Sequence, residues 1–302
     1  MPAFSRITLI GFGEVGQTLG EDLLAAGAKI TAFDILFAKP ESAPASVLRR
    51  IPVSMAANAR DAVADAELVI AAVTAASDLE AVQAAAPGLP RGAFYLDVNS
   101  VSPGMKRSCA EIIEAAGGHY VEAAVMTPIA PKRIASAMLL GGPYARTFAE
   151  RARPLGFTGA KPFSDIIGQA SATKMCRSVI IKGVEALLCE SMLTARHYGI
   201  EKHVLDSLSD LLPVGDWERL ARYFISRSLE HGTRRAEEMR ESAKTVAEAG
   251  LEPLMALATA EREDWSAAHK YALAHIDDLG AMLDAIRNNF DTEAAASLKA
   301  AE

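Results

Sequence analysis

A doubly wound α/β domain followed by an all-helical domain is the fold class that the 302-residue sequence predicts. Three observations carry it. A strand, a glycine turn, a helix and a second strand fit between Arg6 and Asp34. Strands and helices then alternate to about residue 164, and beyond that point only helical spacing is found.

Arg6 to Ile10 is a short apolar run that ends at Gly11. Glu14 to Ala26 sets Val15, Leu19, Leu23 and Leu24 on one side of a helix that stops at Gly27, and Lys29 to Phe33 is the next strand, closing at Asp34. Glu67 to Val73 is the near-continuous apolar run of a parallel strand covered on both faces. A helix is predicted for Ser77 to Ala86, a strand for Ala93 to Asp97 and a helix for Pro103 to Ala116, which Gly117-Gly118 ends. His119 to Ala123 and Ala137 to Leu140 read as further strands. Helical patterns rich in alanine and leucine then cover 165–197, 201–211, 215–229, 233–249, 251–267 and 271–289, punctuated by Gly199, Pro213, Gly232, Gly250 and Pro253. The expected domains are 1–164 and 165–302, with Thr292 to Glu302 as a short polar tail.

Composition narrows the function. Half the residues are hydrophobic and 23% are charged, the balance of a globular chain with a sizeable core. Thirty-one basic against 38 acidic residues leave a net charge of −7, and no basic tract offers a surface for nucleic acid or an anionic membrane. The three cysteines, Cys109, Cys176 and Cys189, show no metal-ligand spacing and imply a reduced, cytoplasmic protein. The start, Met1 to Arg6, has no apolar signal core, and no apolar stretch reaches membrane-spanning length.

Gly11-Phe12-Gly13-Glu14-Val15-Gly16 is G-x-G-x-x-G between a predicted strand and a predicted helix, with Asp34 at the end of the second strand, 23 residues after Gly11. That context makes it a dinucleotide-binding fingerprint of the Rossmann type. Gly11 makes the tight turn, Gly13 lets the backbone approach a pyrophosphate at the helix N-terminus, and Gly16 permits close packing. Asp34 accepts hydrogen bonds from the ribose hydroxyls of NAD and repels the 2′-phosphate of NADP. Ile35 to Ala38 offer that phosphate no partner, while Lys39, Arg49 and Arg50 lie near enough in sequence to weaken the preference. FAD suits a small helical second domain less well, by fold analogy.

Gly168 to Ser178 is a run of small residues entering a long helix that carries Lys174, Ser178 and Lys182 at i, i+4 and i+8 on one side. A lysine in an apolar helix is either buried for use, its proton affinity lowered by desolvation, or a surface residue with its stem laid along the protein.

With these motifs the chain resembles the β-hydroxyacid dehydrogenases, which include 3-hydroxyisobutyrate, tartronate semialdehyde and 6-phosphogluconate dehydrogenases. More narrowly, it resembles a 6-phosphogluconate-dehydrogenase-like branch with the glycine motif above, a Lys-Met-Cys-Arg-Ser helix at Lys174 to Ser178 and a segment like His231 to Met239. The family's catalytic helix, G-x-G-x-x-x-K-x-x-x-N, falls on Gly168, Ala170 and Lys174, so the resemblance implies Lys174 as general acid/base, with Ser178 at the asparagine position. Its substrate loop, D-A-P-V-S-G-G, corresponds to Glu122-Ala123-Ala124-Val125-Met126-Thr127-Pro128. Met126, Thr127 and Pro128 replace the residues that present backbone donors to a carboxylate, and Pro128 has no N–H. The stretch Asp97 to Pro103 matches another family segment and makes Asn99 and Ser100 candidates beside nicotinamide and substrate; the alternative is N-capping of the helix at Pro103. Val73 and Thr74 match the position near the nicotinamide ribose, and Lys182 is a further polar candidate for substrate. His231-Gly232-Thr233 stands where the family has Lys-Asp-Leu, so His231 is either a proton donor or a helix-cap histidine. Arg234 and Arg235 either pair with Glu237, Glu238 and Glu241 along the helix or reach a substrate anion.

His119, His197, His203, His269 and His275 show no ligand spacing, so no metal is expected, and no G-x-S-x-G elbow supports hydrolysis. The reading is an NAD-dependent dehydrogenase for a hydroxy acid or related polar alcohol, pairing as a homodimer through its C-terminal helices. Oxidative decarboxylation, imine reduction and a non-catalytic NAD-binding regulator are the alternatives.

Overall fold

The computed structural model describes residues 3–48, 50–208 and 215–288. It divides into two compact units, Met1–Cys176 and Arg177–Glu302. The expectations for residue 49, the end of the 201–211 helix, Pro213 and the tail from Thr292 lie outside the described residues.

The first unit is built on strands β1 (Arg6–Ile10), β2 (Lys29–Phe33), β3 (Ser54–Met55), β4 (Leu68–Ala71), β5 (Phe94–Asp97), β6 (His119–Val125), β7 (Met138–Gly141) and β8 (Ala160–Ser164). Between them run helices α1 (Glu14–Ala25), α2 (Ala43–Val47), α3 (Ala59–Val63), α4 (Asp78–Ala85), α5 (Pro103–Ala115), α6 (Ile129–Lys132) and α7 (Ala145–Ala152). One eight-stranded sheet has the order β3-β2-β1-β4-β5-β6-β7-β8. Pairing is parallel except between β6 and β7. The first six strands are thus wound outward in both directions from β1 and β4, and ligands of such sheets bind where the order reverses, beyond the carboxyl ends.

Alternate residues of each strand feed two cores. Ile7, Leu9, Leu68, Ile70, Phe94, Leu96 and Val121 pack on one face. Ile10, Val69, Tyr95 and Tyr120 pack on the other with Val63, Val82 and Ile113. Asp97 and Glu122 share the side-chain alternation of Tyr95 and Tyr120 and are fully buried. Two short edge strands add to the predicted set. β3 is exposed, and β8 contains Pro162 and is mostly exposed, so neither carries an apolar alternation.

Helix α8 (Gln169–Tyr198) begins in the first unit and runs on into the second, where α9 (Glu201–Leu208), α10 (Trp217–Glu248) and α11 (Leu254–Ala267) follow. Every regular element among the described residues of the second unit is a helix. The helix predicted from 271 is instead a 3-10 segment, Lys270–His275, with an α-helix starting at 279. Gly232 does not divide 215–229 from 233–249, because α10 passes straight through it. A Cβ there would lie 2.3 Å from the Glu263 carbonyl oxygen, so this glycine lets α11 lie against α10. It is a packing glycine and not a terminator.

Candidate active site

The glycine motif folds as its spacing requires. Gly11 has φ +89°, and a Cβ on it would meet the Ala72 carbonyl oxygen at 2.3 Å. At Gly16 a Cβ would lie 2.2 Å from the Gly11 carbonyl oxygen, which explains the tight seat of α1 on its turn. Gly13 differs, since nothing stands within 4 Å of its Cβ direction. It is the N-cap of α1, and no side chain caps the first N–H groups of the helix. An open cradle at an uncapped helix N-terminus fits a dinucleotide pyrophosphate. Phe12 is buried with its ring against Phe37, so its contribution to the turn is its backbone. Glu14 is exposed and Val15 half-buried. Asp34, at the end of β2, accepts the Phe12 N–H at 2.7 Å and the Leu36 N–H at 2.8 Å.

At the ends of β4 and β5 the polar residues are tied together. Asn99 accepts the Val73 N–H at 2.8 Å, donates to Asp78 at 2.7 Å, and receives its own backbone support from Asp97 at 2.9 Å. Asn99 therefore fixes one loop to the other. The N-cap alternative for Asn99 and Ser100 does not hold, because Ser102 caps α5 by accepting the Met105 N–H. Thr74 is exposed and donates to Ser77 at 3.1 Å.

Beneath this loop lies a buried charged group that the sequence reading missed. Lys106 Nζ is 2.8 Å from Asp97 Oδ1, with both side chains almost wholly buried. Tyr120 donates to Asp97 Oδ2 at 2.6 Å. Burial works against the Lys106 charge, but Asp97 and Asp78 overcome it and its pKa lies above the ordinary lysine value. Asp78 is pushed up to about 8, first by burial and then by the Asp97 charge, against the pull of Lys106. Burial pushes the Cys109 thiol up as well. Asp78, Asp97 and Cys109 bring donor atoms within 4.8 Å of one another, and Lys106 already supplies the positive charge there.

Lys174 sits in the second turn of α8, partly buried, and donates to Ser100 Oγ at 2.5 Å. The first turn of α8 is held by Glu122, which accepts from the N–H groups of Gly168, Ala170 and Ser171 at 2.7, 3.2 and 3.2 Å. The sequence reading placed Glu122 at the first position of the substrate-loop segment but gave it no role; its local signal is a lone carboxylate in an apolar strand. Met126 follows β6 and spends its N–H on the Ala137 carbonyl, while Thr127 and Pro128 are exposed. The first unit thus brings Gly11–Gly16, Asp34, Val73, Thr74, Asn99, Ser100, Met126–Pro128 and Lys174 to the edge formed by the carboxyl ends of its parallel strands.

Ser178, Lys182 and His231 belong to the second unit. Ser178 is buried. Lys182 is nearly buried and paired with Glu238, which also pairs with Arg234. Burial lowers the Lys182 pKa. Arg235 is buried between Glu185 and Glu263, and burial raises the Glu263 pKa. Both arginines are therefore spent on interhelical or helix-face pairs. His231 lies in mid-helix, 3.1 Å from Glu230, so it caps no helix end.

Comparison with known proteins agrees with this geometry. Residues 6–161 match the model of the NAD binding domain of 6-phosphogluconate dehydrogenase, and residues 195–265 match a domain of unknown function. A conserved hypothetical protein from Sinorhizobium meliloti 1021 is 33% identical, with 93% of this chain and 95% of that one covered and a TM-score of 0.75. A second conserved protein, of unknown function and structurally similar to 3-hydroxyacid dehydrogenases, is 30% identical over 86% of this chain and 96% of its own, with a TM-score of 0.69. The NAD-dependent L-serine dehydrogenase of Pseudomonas aeruginosa is 25% identical over 70% of this chain and 71% of its own. With an open glycine cradle, an acidic residue closing β2 and a family match over just more than half its length, the chain belongs to the family of the NAD-binding domain of 6-phosphogluconate dehydrogenase, whose cofactor is a nicotinamide dinucleotide.

Proposed function

We propose that the protein is an NAD-dependent dehydrogenase that oxidises the alcohol of a hydroxy acid or related polar compound, with Lys174 as general acid/base. One observation carries the reading. The Lys174 amine reaches Ser100 at the end of β5, on the same sheet edge as the glycine turn that follows β1. An amine held there accepts the hydroxyl proton as the alcohol is oxidised and returns it when the carbonyl is reduced. The nicotinamide, when bound, takes up the hydride. Ser100 orients the amine by accepting one of its hydrogens, and Asn99 locks the two loops so that neither drifts from the other.

The loop after β6 supports a substrate larger or less polar at one end than 3-hydroxyisobutyrate. Met126 has no free N–H, Pro128 has none at all, and neither reproduces a backbone carboxylate clamp. Asp34 supports NAD over NADP, and the apolar faces of the C-terminal helices support a homodimer. The test is NADH formation, followed by absorbance, across 3-hydroxyisobutyrate, tartronate-type, sugar-acid and aryl-substituted hydroxy acids and diols. Turnover with a bulkier hydroxy acid or diol is expected; a best kcat/KM on 3-hydroxyisobutyrate or 6-phosphogluconate contradicts the substrate reading.

A further inference from the structure

We infer that Glu122 is the positioning residue for Lys174: its carboxylate seats the first turn of α8 against the sheet and thereby sets where the lysine sits and how tightly it holds its proton. The inference rests on the reading of Lys174 as the acid/base.

A helix start leaves its first N–H groups unpartnered, and a local Ser, Thr or Asp usually satisfies them. Residue 168 supplies no such side chain, because it is a glycine at φ +101°. The acceptor comes instead from 46 residues earlier. Glu122, wholly buried on β6, takes the N–H groups of Gly168, Ala170 and Ser171 with its two oxygens. Space for that carboxylate is made on the next strand. Gly141 is its register partner on β7, and a Cβ on Gly141 would stand 2.2 Å from Glu122 Oε1. Burying a carboxylate is costly, and a 30-residue helix has no need of it for helicity alone. What the arrangement adds is a fixed junction between β6 and the turn before Lys174.

Lys174 follows Ser171 by three residues, and side chains on a helix lean back toward its N-terminus. The lysine stem therefore lies over the turn that Glu122 holds, and its amine meets Ser100. A negative charge at this end offsets the positive end of the helix, which otherwise disfavours a lysine charge. The charged groups around Glu122 come from other elements. Lys106 on α5 feels its field, Arg107 on α5 lies beside Gly168, and Asp97 on β5 with Asp78 on α4 lies beyond Lys106. Removing the Glu122 charge therefore shifts Lys174 toward its neutral form and loosens its seat.

The experiment measures Lys174 without needing a substrate. The folded full-length protein is acetylated with trace acetic anhydride over a pH series, and modification of Lys174 is read by peptide mass spectrometry. In Glu122→Gln the midpoint falls by about half to one pH unit, and in Gly141→Ala it moves the same way because the carboxylate is displaced. Where a substrate is in hand, Glu122→Gln also lowers kcat by about tenfold or more at little change in KM, and Glu122→Asp restores part of it. An unmoved midpoint in Glu122→Gln overturns the inference. If that variant does not fold, an unmoved midpoint in Gly141→Ala overturns it instead. Normal turnover in Lys174→Ala defeats the acid/base reading separately, while the labelling midpoint still decides whether Glu122 governs the lysine.

Discussion

Asp34 Oδ2 accepts the backbone N–H of Phe12 at 2.7 Å, so the carboxylate that closes β2 also braces the glycine turn that follows β1. The same carboxylate holds the Leu36 N–H through its other oxygen. Each oxygen keeps a further lone pair, which suits ribose hydroxyls and not a phosphate. NAD is therefore expected to bind more tightly than NADP, and Asp34→Ser to narrow the ratio of their dissociation constants. The substitution also costs about 1–3 kcal/mol of stability, since two backbone donors lose a charged acceptor. Tighter NADP binding by the wild type in titration calorimetry contradicts the assignment.

Two glycines of one motif should separate binding from folding. Gly13→Ala adds a methyl group to open space, so its melting temperature stays near wild type while NAD affinity drops. Gly16→Ala drives a Cβ into the Gly11 carbonyl, so it lowers the melting temperature first; overpacking of this kind costs typically about 1–3 kcal/mol. Thermal melts with and without NAD distinguish them, and a destabilised Gly13→Ala with normal NAD affinity contradicts the cradle.

Asp78 imposes a pH dependence on stability. Its pKa rises from the ordinary carboxyl range to about 8 on folding, so the folded state holds the proton that the unfolded state gives up. Its contribution is complete below about pH 4 and is lost as pH rises through about 8. Asp78→Asn should flatten the decline of unfolding free energy between those limits, as measured by urea titrations at several pH values. An identical slope in the variant contradicts the burial argument.

Gly232→Ala ought to stabilise an exposed helix by about 1 kcal/mol on propensity alone. Here the added Cβ meets Glu263 O at 2.3 Å and Ala267 N at 2.9 Å, and backbone cannot give way cheaply. The net effect expected is destabilisation of about 1–3 kcal/mol, read from chemical denaturation; a gain in stability contradicts the α10–α11 contact.

Local pattern made most of the first unit legible. Apolar runs gave β1, β2, β4, β5 and β6, and the glycines beside them gave the turn and the acidic end of β2. The edge strands stayed hidden because β3 and β8 bury little and β8 contains a proline. Gly232 read as a stop because the contact that demands it lies 31 residues away, at Glu263. Asp78 and Lys106 carry no local signal, and Glu122 carries only that of a lone carboxylate in an apolar strand. Their burial is created by partners from other strands and helices, and a charged residue in a predicted strand or helix is normally placed in water.

Lys174→Ala is the measurement that bears most directly on the account, taken as kcat for alcohol oxidation alongside the dissociation constant for NAD. Loss of a general acid/base lowers kcat by roughly 10²- to 10⁴-fold, while NAD binding, which the proposal assigns to the glycine turn and Asp34, is expected to stay close to wild type. A variant that turns over at near-normal rate contradicts the central claim.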